Sequence, residues 1–252
     1  MKDAAREAFS KVPEVTLVFW IIKIFCTTLG ETGGDAVTMS MNLGYLIGTG
    51  IFAVIFIGFV VAQIRAKRFH PFLYWATIIA TTTVGTTLAD FADRSLGIGY
   101  TGGSSLLLAL VLASLFVWHR TLGSVSINTV STPKAEMFYW VTIMFSQTLG
   151  TALGDWTADT IGEGYLRSAV IFGVLLLMIA ALYFWTKVNR VLLFWAAFIL
   201  TRPLGAVVGD FLDKPLDHGG LNLSRYTASA MLVVLIVIGI LVFPQRAAKT
   251  SH

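Results

Sequence analysis

The sequence has very little charge for its length. Asp, Glu, Lys and Arg together make up 13% of its 252 residues, whereas hydrophobic residues make up 56%. A soluble domain usually carries about a quarter charged residues. The mean hydropathy of +0.78 therefore indicates a protein whose surface meets lipid rather than water.

Thiolate and imidazole ligands are also scarce. Cys26 is the single cysteine, which excludes an internal disulfide and a cysteine-rich metal site. The four histidines fall in loops or near the ends, and neither His-x-x-x-His nor Cys-x-x-Cys occurs. These absences argue against zinc and copper. The carboxylates, hydroxyls and carbonyls that remain suit magnesium, manganese, calcium or a proton relay.

Motifs of several other functional classes are missing as well. The sequence contains no glycine-rich phosphate loop, no Ser-His-Asp order and no basic stripe for nucleic acid. It also lacks an evident pair of nucleophile and base, so we expect no enzymatic activity. Because the other motifs are missing, we also expect no cofactor and no nucleic-acid partner. The first fifteen residues are too polar for the core of a signal peptide, and we expect the first apolar segment to stay in the membrane.

What the sequence does contain is a repeat. A tryptophan is followed fifteen residues later by an aspartate in four places, namely Trp20/Asp35, Trp75/Asp90, Trp140/Asp155 and Trp195/Asp210. We count positions from each tryptophan, so that the aspartates stand at position +15. Position +10 is always glycine, and position +14 is glycine or alanine. Four occurrences in register predict an internal repeat.

Eight apolar segments accompany the repeat, and each is close to the ~20 residues that cross a hydrocarbon core. They lie at about 15–34, 43–64, 72–89, 99–118, 137–154, 165–186, 191–209 and 224–243. We therefore expect an all-α, polytopic protein with eight transmembrane helices in one membrane domain, residues 1–252. Its four two-helix repeats are predicted at 15–68, 70–120, 135–188 and 190–245. Tryptophan spacings of 55, 65 and 55 residues group the repeats into two halves.

Lysine and arginine are distributed unevenly between the two predicted sides. Twelve fall on one side: Lys2, Arg6, Lys11, Arg65, Lys67, Arg68, Arg120, Lys134, Lys187, Arg190, Arg246 and Lys249. Four fall on the other: Arg94, Arg167, Lys214 and Arg225. The positive-inside rule then predicts that both chain ends are cytoplasmic. Because each repeat crosses twice, all four repeats are predicted to be parallel.

The aspartates at position +15 are the first candidate functional residues. Each lies about 22 Å along its helix from the tryptophan, near the predicted outer interface. Two interpretations of Asp35, Asp90, Asp155 and Asp210 remain open. They are either solvated carboxylates at helix ends or a converging acidic ring that concentrates cations.

Three charged residues break the repeat symmetry inside the predicted membrane. Glu31 stands at position +11, where the other repeats have Thr86, Thr151 and Ala206. A carboxylate at this depth is costly unless it is paired or protonated, and Lys23 and Arg202 are its candidate charge partners. The group is either a structural ion pair or a site where a cation or proton competes with an internal base. Pro203 should disturb the helix beside it.

Small polar side chains cluster just before the +10 glycines. The residues are Thr27, Thr28, Thr82, Thr83, Gln147 and Thr148. They are predicted either to hydrogen-bond between helices or to line a polar pathway. The glycine and alanine pairs at +10 and +14 predict close helix packing, as small residues allow in membranes.

The fourfold Trp-x(9)-Gly-x(4)-Asp pattern resembles a family of bacterial integral membrane proteins. Its members are built from four tandem repeats of unknown function, each with two transmembrane segments and a tryptophan. The resemblance covers about residues 15–243 and implies the architecture and a bacterial inner membrane, but no activity. Residues 30–36 also resemble the Glu-x-Gly-Asp signature of cation/proton exchangers in chemistry alone, because they contain one additional glycine and lack the following basic residue.

Together these features predict an integral membrane transporter or channel for a cation. A hard divalent metal such as Mn²⁺ is the candidate substrate and protons are the candidate coupling ion. Glu31 and the four aspartates would bind the cation, with Glu31, Asp35 and Asp155 as metal ligands. The alternative is a membrane scaffold or assembly protein whose intramembrane charges are structural. The lipid bilayer is the expected partner, and the oligomeric state is left open.

Overall fold

The computed structural model describes residues 10–162 and 164–248, which form eight α-helices. The helices are α1 (Leu17–Asp35), α2 (Tyr45–Arg65), α3 (Pro71–Asp90), α4 (Tyr100–Leu122), α5 (Pro133–Asp155), α6 (Gly164–Trp185), α7 (Arg190–Asp213) and α8 (Arg225–Val242). The predicted segments differ from them by a few residues at the ends. Lys2, Arg6 and Lys249, which enter the charge count above, lie outside the described residues.

Seven of the eight described helices are long and apolar enough to cross a membrane. The exception is α5, which has 23 residues but is the least apolar of the eight. Its polar side chains include Thr142, Ser146 and Gln147, and all three are buried inside the bundle. The sequence predicts eight crossings, and by length and composition seven helices qualify.

The first helices of the four repeats form an inner square. In this square α1 packs against α3 and α7, and α5 packs against the same two helices. The second helix of each repeat lies outside and packs against the first helix of the next repeat: α2 on α3, α4 on α5 and α6 on α7. Helix α8 packs on α1 and closes the ring. Each repeat therefore covers its neighbour.

The outer helices present their apolar side chains to the surroundings. Among the seven helices of membrane-spanning length, the inner ones are 56–72% buried, whereas the outer ones are only 6–22% buried. Leu46, Leu112, Leu177 and Met231 are examples of exposed apolar residues on the outer helices. A continuous apolar surface of this kind is unfavourable in water and fits contact with lipid. Polar residues are correspondingly concentrated in the inner square.

The +10 glycines bring the inner helices close together. Each lies against the +7 residue of the following repeat, in the pairs Gly30/Thr82, Gly85/Gln147, Gly150/Arg202 and Gly205/Thr27. A Cβ atom on Gly85 would lie 3.0 Å from the backbone of Gln147, so a larger residue would push the helices apart. The same contact recurs four times and therefore sets both the spacing and the direction of the ring.

The inner helices begin at an end of the bundle that we call the aromatic end. Trp75, Trp140 and Trp195 are buried there, and the hydroxyls of Tyr74 and Tyr139 are 2.6 Å apart. The two ends of the described chain also meet here. The amide of residue 248 donates to the carbonyl of residue 12 (2.8 Å), and the amide of residue 10 donates to the carbonyl of residue 248 (3.2 Å). These bonds join the first repeat to the fourth.

The opposite end, where the inner helices finish, is the acidic end. In three repeats the first helix is followed by a five-residue π-helical turn: Ala36–Ser40, Phe91–Ser95 and Trp156–Thr160. In the fourth repeat α7 instead continues as α-helix to Asp213, and an inserted loop follows. The amide of Leu221 donates to the carbonyl of Phe211 at 2.7 Å and that of Leu223 to Leu212 at 2.9 Å. The inserted loop therefore folds back on α7.

Candidate functional site

The four +15 aspartates meet at the acidic end in two pairs, each bridged by a basic side chain. In the first pair, Arg94 Nε lies 2.8 Å from Asp90 Oδ1 and its Nη2 lies 3.8 Å from Asp155 Oδ2. In the second pair, Lys214 Nζ lies 2.8 Å from Asp35 Oδ2 and 2.9 Å from Asp210 Oδ1. We call these two groups the Arg94 bridge and the Lys214 bridge.

Both bridges follow one rule. Arg94 and Lys214 stand at position +19, and each binds the aspartate of its own repeat and the aspartate of the next repeat. The even-numbered repeats share the pattern Asp-Phe-x-Asp-Arg/Lys, at 90–94 and at 210–214, whereas the odd-numbered repeats have Met39 and Asp159 at +19. The repeat pattern predicted from the sequence ends at +15 and does not include these bases. The pattern shared by the even-numbered repeats four residues further on is the sequence signal for them.

A further base reaches the Lys214 bridge from α8. Arg225 Nε lies 3.1 Å from Asp213 Oδ2 and 3.8 Å from Asp35 Oδ2. Its Nη1 donates to the hydroxyl of Ser40 at 3.3 Å. Asp213, at position +18, is buried and was not among the predicted site residues. The Lys214 bridge therefore includes one carboxylate, Asp213, and two bases, Lys214 and Arg225, that were not part of the predicted ring.

Glu31 forms its ion pair one helical turn deeper. Arg202 Nη2 lies 3.0 Å from Glu31 Oε2 and 2.5 Å from the hydroxyls of Thr86 and Thr151. These three acceptors are the +11 residues of three successive repeats. A single nitrogen that reaches all three lies close to the axis of the ring. Arg202 is fully buried, and its guanidinium ties three repeats to the fourth.

Lys23, the other predicted partner of Glu31, lies elsewhere. Its Nζ donates to the Thr201 hydroxyl at 2.5 Å and to the Phe198 carbonyl at 3.0 Å. The same atom sits 3.9 Å from the centroid of the Phe198 ring, a cation–π contact. Within the described part of the chain Lys23 has no carboxylate partner. Its contacts join α1 to α7.

The predicted pathway residues fall into two groups. The hydroxyls of Thr27, Thr28, Thr83 and Thr148 donate to backbone carbonyls of their own helices at 2.8–3.0 Å. By contrast, the Thr82 hydroxyl and the Gln147 amide are buried and make no hydrogen bond to the described residues. The hydrogen-bonding groups of the first set are satisfied within its helices, whereas those of the second set are not satisfied by the described residues.

Two sets of carboxylates could each hold a metal ion. Ligand oxygens of Glu31, Asp35 and Asp90 lie within 4.8 Å of one another, and so do those of Asp35, Asp210 and Asp213. Hard divalent cations prefer carboxylate oxygens of this kind. Asp35 belongs to both sets. Asp155, a predicted metal ligand, belongs to neither and contacts Arg94 instead.

A cavity of about 380 Å³, which we call the mouth cavity, opens above the carboxylates at the acidic end. It is lined by Met39, Arg94, Asp159, Tyr165, Lys214, Pro215, His218 and Arg225. Four of these are the +19 residues of the four repeats, so the cavity lies over the axis of the ring. Burial lowers the pKa of Lys214, but the carboxylates of Asp210, Asp35 and Asp213 outweigh burial and raise it above its ordinary value. The ammonium therefore stays charged at neutral pH.

The fold and the site together define the class. This is an all-helical protein built from four tandem repeats, with helices of membrane-spanning length around a buried charged centre. The chain belongs to the family described as Repeat of Unknown Function (DUF347), which matches residues 18–69, 73–124, 138–189 and 193–247. The predicted membership of a four-repeat family is thus confirmed. No curated protein and no solved structure matches the chain.

Proposed function

We propose that this protein is a multi-pass transporter of a cation, with a hard divalent metal such as Mn²⁺ as substrate and protons as the exchanged ion. One observation carries the proposal: buried carboxylates outnumber the bases that contact them. Six acidic residues (Glu31, Asp35, Asp90, Asp155, Asp210 and Asp213) meet four bases (Arg94, Arg202, Lys214 and Arg225). Buried charge without compensation is costly, so a bound cation or protons would complete this site.

The ligand chemistry favours a hard cation. The site offers carboxylate and hydroxyl oxygens, while Cys26 lies on α1 below Glu31 and is buried away from the carboxylates. Oxygen ligands suit magnesium, manganese and calcium better than zinc or copper. The excess of two carboxylates matches one divalent ion or two protons. Exchange of one for the other leaves the charge of the site unchanged.

The packing below the site favours a transporter over an open channel. The mouth cavity opens at the acidic end and is lined by Arg94, Lys214 and Arg225, the bases that contact the outer carboxylates. Beneath them Arg202 lies near the axis, and the aromatic end is packed with buried side chains such as Trp75 and Tyr139. A cation bound at the acidic end would therefore need a rearrangement of the bundle to reach the other side.

We further propose that all eight helices, including α5, cross a bacterial inner membrane with the acidic end outside. The twelve-to-four distribution of lysine and arginine supports this orientation. The pairing of the chain ends at the aromatic end supports a common, cytoplasmic side for both.

Transport into proteoliposomes tests the proposal. Vesicles containing the full chain should take up Mn²⁺ and release protons, followed by a metal-sensitive and a pH-sensitive dye. The variant carrying Glu31→Gln and Asp35→Asn should lose at least about a hundredfold in rate. Asp217→Asn, which removes an exposed carboxylate from the inserted loop, should keep the wild-type rate. Wild-type vesicles that move none of Mn²⁺, Mg²⁺ or Ca²⁺ would refute the proposal.

The alternative proposal is a membrane scaffold, and the ion pairs favour it because every one of the six carboxylates contacts at least one base. In that case the charges serve only to join the repeats. A scaffold would tolerate Glu31→Gln together with Arg202→Gln, since this variant removes both members of the central pair. In a strain that depends on the protein, full function of this variant would support the scaffold over the transporter.

A further inference from the structure

The Lys214 ammonium occupies a position between two carboxylates that resembles the position of a bound cation. It lies 2.8 Å from an oxygen on α1 and 2.9 Å from an oxygen on α7, so it links helices of the first and fourth repeats. Lys214 also marks the point where α7 ends and the inserted loop begins. The charge is therefore carried on a segment outside the inner square.

Two buried oxygens beside the ammonium have no partner. Asp35 Oδ1 and Asp213 Oδ1 make no hydrogen bond to the described residues, and these residues are only 1% and 6% exposed. Ligand oxygens of both lie within 4.8 Å of one another and of an Asp210 oxygen. Buried oxygens of this kind normally have a donor or an ion. This observation is independent of the clustering of the acids and indicates a ligand at this point.

The mouth cavity gives the ammonium somewhere to move. Lys214 lines the cavity together with His218 and Arg225, so its side chain can leave the two carboxylates without entering the packed bundle. Arg94 lines the same cavity, but its guanidinium contacts Asp90 and Asp155 through two different nitrogens. An ammonium is a point charge on a flexible stem, whereas a guanidinium holds carboxylates through a rigid fork. The lysine is thus the more readily displaced of the two.

We propose that Asp35, Asp210 and Asp213 form the outer binding site for a divalent cation and that Lys214 is a tethered competitor for that site. The metal ion displaces the ammonium from Asp35 and Asp210 into the cavity, and the ammonium returns when the ion leaves. This inference rests on the proposed cation transport and specifies where the ion first binds. The competing charge keeps affinity low enough for release.

Metal binding by the purified full chain in detergent tests the inference, with Mn²⁺ followed by electron paramagnetic resonance. Lys214→Met removes the competing charge and should tighten Mn²⁺ binding at least about tenfold. Lys214→Arg should weaken it several-fold, since the guanidinium is harder to displace. Arg94→Met removes the same charge from the equivalent position of the other bridge and should change affinity less than about threefold.

Equal tightening by Lys214→Met and Arg94→Met would overturn the inference, because the effect would then be a general change of potential. The proposed transport would still stand in that case. A second pair of variants decides the question if Lys214→Met fails to fold. Asp213→Asn should weaken Mn²⁺ binding at least about tenfold relative to Asp217→Asn, and equal affinities would again overturn it. Wild-type protein that binds no Mn²⁺, Mg²⁺ or Ca²⁺ would refute both the inference and the proposed function.

Discussion

The Arg94 bridge and the Lys214 bridge occupy equivalent places in the ring but are built differently. Each joins the +15 aspartates of two successive repeats through a +19 base. The contacts of Lys214 are short on both sides, 2.8 and 2.9 Å, whereas Arg94 reaches Asp155 only at 3.8 Å. Arg94 lies in a π-helical turn, and Lys214 follows the end of an unbroken α-helix.

The difference indicates that the two bridges have different roles within a repeated fold. The Lys214 bridge contains the second base Arg225, unpartnered oxygens on Asp35 and Asp213, and a base at the start of an inserted loop, whereas Asp93 beside Arg94 has one unpartnered oxygen. The Arg94 bridge contains a base that cannot lose its charge and holds its acids through a fork. Under the proposed function, the Lys214 bridge would bind the ion and the Arg94 bridge would hold the ring together. The central pair of Glu31 and Arg202 lies one helical turn deeper than both.

The largest effect is expected at that central pair, because both of its members are buried. Arg202→Gln leaves Glu31 buried without its base, which should destabilise the protein by about 3–5 kcal/mol. Adding Glu31→Gln removes the orphaned charge and should restore most of this loss. Unfolding in a denaturing detergent titration, measured for both single variants and the double variant, gives the coupling between them. A double variant as unstable as Arg202→Gln would show that the two groups do not depend on each other.

A smaller but more selective effect is expected when one aspartate is removed from each bridge. Asp35 contacts Lys214 and Arg225 and belongs to both carboxylate sets, whereas Asp155 contacts Arg94 alone and belongs to neither. Asp35→Asn should therefore lower the rate of Mn²⁺ transport about a hundredfold, equivalent to about 2.7 kcal/mol. Asp155→Asn should lower it less than about tenfold.

Both variants are isosteric and remove one buried charge from the same repeat position, so each serves as the control for the other. Rates are compared at equal amounts of folded protein in the vesicles. Equal losses in the two variants would show that the four aspartates act as a symmetric ring, and the assignment of different roles to the bridges would then be wrong.

Much of the architecture could be predicted from sequence because it depends on residues that recur. The tryptophan, glycine and aspartate register predicted the repeat, and the apolar runs predicted the helices. The glycines could not show which neighbour they contact. That choice follows from the direction of the ring, in which Gly150 packs on Arg202 and Gly205 on Thr27. Single-helix periodicity does not contain this information.

The site was harder to predict because it depends on how far side chains reach between helices. Lys23 and Arg202 were equivalent candidates for Glu31 by charge and depth. In the structure the long side chain of Arg202 extends towards the acidic end and contacts Glu31 at position +11. Lys23 instead binds Thr201, about one helical turn nearer the aromatic end. Arg94 and Lys214 were counted only as outer-loop charges. Their role requires the next repeat's aspartate to lie beside them, which only the closed ring provides.

The smallest effect is expected when either base is replaced by the other basic residue, as in Arg94→Lys or Lys214→Arg. Arg94→Lys loses the second guanidinium nitrogen, the one that reaches Asp155, and should lower the free energy of unfolding by about 1 kcal/mol. Lys214→Arg keeps the charge and the short contacts and should change stability by less than that. Detergent-titration unfolding without metal gives both values.

Adding MnCl₂ should then stabilise the Arg94→Lys variant as much as the wild type, because a ligand stabilises the state that binds it. It should stabilise Lys214→Arg less, since the guanidinium resists displacement. Equal stabilisation of the two variants by MnCl₂ would mean that the metal does not distinguish the bridges.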